Sequence, residues 1–208
     1  MTLANDSVLV TPGTGATIAT HLAGGKEHQV VMLADAAGHL LDTLDTWYAY
    51  SGAVAFVQNK HFLSLFNGAG SGKILKIRKC FVTNLQTAAV AGVVFQFDFR
   101  RTTAQSGGTA ITPVPADTAN AALPAQVLIA TNPTITNGGL LFSQAFTNEE
   151  QVALQTTPVP VLTASVNWLP EGRAIQELTL RAGEGFTVQM ITATTVGSYA
   201  VLVVFTVE

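Results

Sequence analysis

The residues with chemical potential are few and scattered. GAGSGK at residues 68–73 has the outline of a phosphate-cradling loop, in which backbone N–H groups and a lysine hold a nucleotide. That pattern needs a glycine five positions before the Gly72-Lys73 pair, where Asn67 stands, and Ser or Thr after the lysine, where Ile74 stands. A strand pattern follows instead of a helix, so the free N–H groups of a helix N-terminus are not supplied and nucleotide binding is not expected. His21, His28, His39 and His61 are separated by 7, 11 and 22 positions, which match no zinc-ligand spacing. There is no Gly-x-Ser-x-Gly elbow. Glu149 and Glu150 are adjacent, so on a helix they diverge by about 100 degrees, poor geometry for acid and base work on one bond. No catalytic residue, metal site or cofactor is assigned, and the chain is expected not to be an enzyme.

Two sets of residues have binding potential. Trp47, Tyr48 and Tyr50, with Trp168 later, offer flat faces for stacking on sugar rings, against the competing reading that the tryptophans pack inside or at a subunit interface. Lys73, Lys76, Arg78, Lys79, Arg100 and Arg101 are six of the ten basic residues and fall within residues 73–101. They form either the solvated outer face of a ribbon or a docking surface for an acidic partner. Lys76, Arg78, Arg100 and Arg101 are the candidates for that docking.

Composition narrows the class. Only 11% of the 208 residues are charged, against roughly 25% in typical soluble domains, while mean hydropathy is +0.38. A chain so poor in charge either covers itself with neutral Thr, Ser, Asn, Gln and Gly or buries surface against other subunits. The net charge of −3 gives no long-range attraction to nucleic acid or anionic lipid. No run of about 18 apolar residues is present, so no membrane-spanning helix is expected. Cys80 is alone, which excludes a disulfide framework within the chain. The opening MTLANDSVLV has neither a basic region nor an apolar segment of the signal-peptide kind.

The elements that would position these residues are strands. Residues 74–101, ILKIRKCFVTNLQTAAVAGVVFQFDFRR, read as one long two-stranded antiparallel ribbon with Phe81 opposite Phe95, Ile77 opposite Phe99 and Arg78 across from Asp98. Leu75, Phe97 and Phe99 would share the inner face, with Lys79 the one misfit. Further strands are expected at residues 28–34, 47–50, 53–57, 61–66, 140–146, 173–181, 186–193 and 199–207. The last is apolar on both faces, as a central strand requires. Asn137-Gly138 signals a turn, and residues 39–46 and 147–155 fit short helical turns. Residues 1–26 read as an extended N-terminal arm or an edge segment. Residues 27–208 then form one all-β domain, an antiparallel β-sandwich of jelly-roll type with a long central hairpin. Residues 102–133, rich in Pro, Ala and Thr, make a long excursion on its outside with one short strand at 126–130.

TPGTGATIATHLAGGKEHQVVMLADAAGHL at residues 11–40 resembles the opening of structural proteins from tailed bacteriophages. The ending, LTLRAGEGFTVQ followed by SYAVLVVFTVE, resembles the closing strands of jelly-roll-like virion proteins. The resemblance implies a virion component on the capsid exterior, made in the host cytoplasm. Most specifically it implies a cement or decoration protein that forms a homotrimer and binds the major capsid protein. A head-fibre or tail module recognising a host glycan, or a neck or tail structural protein, are the other readings. The resemblance transfers no site residue.

Overall fold

The structure is a computed structural model that describes residues 19–23, 26–30, 44–85, 93–148, 162–167, 177–192 and 197–208. The chain divides into two compact units, Met1–Thr43 and Leu44–Glu208. In the first, β1 (Ala19–Ala23) pairs antiparallel with β2 (Lys26–Val30), with His21 opposite His28. The rest of the expected strand at 28–34, and whether 1–26 is an arm, lie outside the described residues.

The second unit is all-β and antiparallel throughout its described pairings, as the alternation of apolar and polar residues requires. Its first strands are β3 (Asp45–Tyr50), β4 (Val54–Ala55), β5 (His61–Asn67) and β6 (Leu75–Asn84). There follow β7 (Val93–Ser106), β8 (Thr109–Ala110), β9 (Val114–Pro115), β10 (Val127–Thr131) and β11 (Thr134–Asn148). The unit closes with β12 (Leu162–Asn167), β13 (Leu178–Leu180), β14 (Glu184–Met190) and β15 (Ser198–Val207). One sheet runs β11-β7-β14-β5-β10-β8. The other runs β12-β6-β15-β3-β9, with β13 also on β6 and β4 on β15. β15 is therefore central, flanked by β6 and β3, as its two apolar faces foretold.

The central hairpin does not form. β6 bonds to β15, β12 and β13, and β7 bonds to β11 and β14, so the two halves of the expected ribbon lie in different sheets. Their inner faces still serve one core: Leu75, Ile77, Cys80 and Val82 from β6 join Phe95, Phe97 and Phe99 from β7, all essentially sealed from solvent. Alternation determines which face a side chain occupies but not which strand carries the hydrogen bonds, and two strands with one apolar face each can meet across a sandwich. Arg78 and Asp98 are accordingly not partners. Lys79 is explained by a bulge: Val204 pairs with Lys79 and Phe205 with Ile77, passing over Arg78. The extra residue inverts the phase, so Cys80 turns inward while Lys79 and Phe81 turn outward.

Three smaller expectations also change. Asn137-Gly138 is no turn but part of a bulged stretch inside β11, where a side chain at Gly138 would meet the Arg101 carbonyl at 3.0 Å. Leu44 has no regular structure, Asp45 and Thr46 open β3 and Thr147 and Asn148 close β11, while residues 39–43 and 149–155 lie outside the described residues. Residues 102–133 are partly sheet: β8 and β10 extend one sheet and β9 edges the other. The strand foreseen at 126–130 is β10.

Aromatic side chains fill the middle of the sandwich. Phe56, Phe62, Phe95, Phe97 and Tyr199 meet edge-to-face, with Phe95 and Tyr199 centroids 4.7 Å apart. Burial of each such ring contributes about 1.5–3 kcal/mol, and the edge-to-face geometry adds roughly a further 0.5–1.5.

Candidate functional site

Strand alternation in β3 sends Trp47 and Ala49 into the core and leaves Tyr48 and Tyr50 on the outer face, 41% and 52% exposed. Register then builds a surface around them. Tyr48 sits between Val114 of β9, 62% exposed, and Val204 of β15. Tyr50 sits beside Leu202, which in turn lies beside Phe81. Leu202, Val204 and Phe81 are half-buried. Two tyrosines and four aliphatic or aromatic neighbours thus form an apolar stripe across the outside of the seven-stranded sheet, with Lys79 at its end beside Val204. Of the three aromatics proposed for sugar stacking, Trp47 is removed from this surface. Trp168 lies outside the described residues.

No protein-family model, characterised protein or solved structure matches the chain.

The four basic candidates come from both sheets, and Arg101 shares a groove with Glu177, the partner of Lys76 and Arg78. Lys76 and Arg78 lie on β6 and share Glu177: Arg78 Nη1 donates to Glu177 Oε1, and Lys76 Nζ lies 3.6 Å from Oε2. Lys76 also pairs with Glu208 at 2.5 Å, and Arg78 Nε donates to Thr206 Oγ1 at 3.0 Å. On the other sheet Arg100 holds Asp98 through Nη2 at 2.5 Å and Nε at 3.1 Å. Ser143 Oγ donates to the second oxygen of Asp98 at 2.5 Å. Arg101 donates to the Thr179 carbonyl at 3.1 Å and lies 3.5 Å from Glu184, beside a groove of about 460 Å³ that Leu141 and Arg181 also line. Each of the four cations therefore has a carboxylate partner within the chain. Glu177 and Glu184, remote in sequence from β6 and β7, are the residues that composition alone could not connect to them.

The remaining chemical candidates resolve into structural roles, with one exception. In the glycine-rich loop Gly70 and Gly72 take φ of 82° and 65°, Asn67 Nδ2 donates to the Lys73 carbonyl at 2.8 Å, and the chain enters β6. Cys80 is fully buried, and burial pushes its thiol far above its ordinary range, so it is inert. Among the described residues no three His, Cys, Asp or Glu side chains cluster as metal ligands would. His39, Glu149 and Glu150 are outside the described residues.

The exception is His61, at the start of β5. Its Nδ1 lies 3.0 Å from Thr187 Oγ1, and Thr187 Oγ1 lies 3.1 Å from the Leu63 carbonyl. The Leu63 carbonyl can only accept, so both contacts are hydrogen bonds at once when the hydroxyl donates to Leu63 and the imidazole donates from Nδ1. The ring is thereby held as the Nδ1–H tautomer, with the Nε2 lone pair free. Burial, and then the positive charge of Arg100, lower its pKa to about 4, so it is neutral at physiological pH. The sequence carried no signal for this arrangement, because Thr187 and Arg100 reach His61 only through the pairing of β14 with β5 and β7.

Proposed function

We propose that this chain is a non-enzymatic structural subunit that docks onto a larger assembly through the outer face of its seven-stranded sheet. The observation that carries the reading is the stripe of Tyr48, Tyr50 and Val114, exposed and contiguous in a chain that is short of charge. Removing such a stripe from water is favourable by about 25 cal/mol per Å², and tyrosines are among the residues that dominate interface energies. The intrachain pairing of Lys76, Arg78, Arg100 and Arg101 favours an apolar contact over one made by free cations. With the resemblance of residues 11–40 to tailed-phage structural proteins, the assembly is a phage capsid, and the chain a cement protein that bridges major capsid protein subunits. As a trimer it would present three stripes at once, so that weak single contacts multiply.

The test joins light scattering to cosedimentation with empty phage capsids. The expected result is a trimer that pellets with capsids and raises their melting temperature. Tyr48→Ser with Tyr50→Ser should abolish pelleting while leaving the subunit folded. Because the contact is apolar, moderate salt should leave occupancy unchanged. A protein that does not pellet overturns the capsid assignment, and a six-fold ring would redirect it to the neck or tail.

A further inference from the structure

A second site lies on the six-stranded sheet and is independent of the tyrosine stripe. Where β5 begins, β14 ends and the short turn joins β10 to β11, a polar pocket of about 390 Å³ opens. Its wall holds His61, Lys60, Asn59, Asn132, Asn137 and Gln189, with Pro133 and Ile135 supplying the apolar part. That volume lies within the range of small-ligand sites.

The pocket is built on a pinned frame. Asn59 and Asn132 both take left-handed φ, 66° and 49°, a conformation that asparagine tolerates better than other residues with side chains. Asn59 N donates to the Met190 carbonyl at 2.8 Å, and Asn132 N donates to the His61 carbonyl at 2.8 Å. Gln189 is held at both ends: its Nε2 donates to the Asn59 carbonyl and its Oε1 accepts from Asn137 Nδ2, each at 3.4 Å. His61 is fixed through Thr187, and among the described residues the only hydrogen bond of its side chain is the one from Nδ1. Its Nε2 is not among the sealed polar atoms that lack a partner, so this nitrogen meets the solvent of the pocket.

The chemistry of the wall selects a ligand class. Nε2 of the Nδ1–H tautomer is an acceptor and demands a donor from the ligand. The Lys60 ammonium is a donor only and demands an acceptor, while primary amides satisfy either. Among the described residues no carboxylate lines the pocket, which disfavours a cation, and a fully ionised anion such as sulfate has no proton to offer the imidazole lone pair. A hydroxyl group is donor and acceptor at once, and adjacent hydroxyls on a ring would satisfy both residues. We propose that this pocket binds one unit of a saccharide, with one hydroxyl donating to His61 Nε2 and a neighbouring oxygen accepting from Lys60.

The test is nitrogen NMR of the full chain labelled in histidine, with the His61 ring signals assigned by their loss in His61→Asn. Glucose, galactose, mannose, rhamnose and N-acetylglucosamine are titrated separately, beside inorganic phosphate. At least one sugar should move the Nε2 resonance, in the direction of a newly accepted hydrogen bond, while Nδ1 remains protonated. Affinity for that sugar should fall at least tenfold in Lys60→Met and in His61→Asn, which keeps an amide donor for Thr187, without loss of the folded spectrum. The proposal is overturned if no sugar in the panel shifts the signal, if phosphate shifts it and sugars do not, or if both variants bind as the parent does.

Discussion

His61 makes stability depend on pH in a way that can be isolated. Its folded-state pKa is about 4 and its ordinary value 6.5, so between those limits the unfolded chain binds a proton that the folded chain refuses. Stability contributed by the neutral ring is therefore fully present above about pH 6.5 and is lost as the pH falls towards 4. At 1.36 kcal/mol per pH unit of displacement, the loss is about 2 kcal/mol by pH 5 and roughly 3 by pH 4. The perturbation is His61→Asn, whose amide retains the hydrogen bond to Thr187 but has no proton to gain. Urea unfolding of parent and variant at a series of pH values measures it, because carboxylates common to both cancel in the difference. The parent should lose about 2 kcal/mol more than the variant between pH 7 and pH 5. Parallel stability curves would refute the reasoning, and with it the claim that burial and Arg100 hold the ring neutral.

Three further outcomes follow from the packing. Tyr199 buries its hydroxyl beside the aromatic core with no hydrogen-bond partner among the described residues, so Tyr199→Phe should be neutral or stabilise by about 1 kcal/mol, read as an unchanged or raised melting temperature. A side chain at position 185 would overlap Thr102 Oγ1 and meet Phe66 at 2.8 Å and the Leu65 carbonyl at 2.9 Å, so Gly185→Ala should cost roughly 1–3 kcal/mol in urea unfolding. Glu177 serves both Lys76 and Arg78, and all three side chains are at least three-quarters buried. Glu177→Gln should destabilise by about 1–2 kcal/mol, more than an exposed pair would, and a double-mutant cycle with Arg78→Met should show coupling between the two positions.

What was legible before the structure was the part governed by local physics. Period-two alternation placed Leu75, Ile77, Phe97 and Phe99 on inner faces and made β15 a central strand, since apolar side chains on both faces require cover on both faces. The same alternation puts Trp47 inside and Tyr48 and Tyr50 outside once the strand is granted.

Tertiary structure decided everything that depends on which strands are neighbours. β6 and β7 lie in different sheets over one core instead of sharing a ladder, because an apolar face is satisfied equally by stacking and by adjacency, and nothing local distinguishes the two. The bulge at Arg78 follows from the pairing with β15, and so does the inversion that makes Cys80 a core residue and Phe81 a surface one. Ion pairing likewise joined Lys76 and Arg78 to Glu177, about a hundred residues away. His61 acquired a single tautomer and an open lone pair only when β14 brought Thr187 beside it. Sequence determines polarity by position, whereas hydrogen-bond partners across a sheet are long-range choices made by the whole fold.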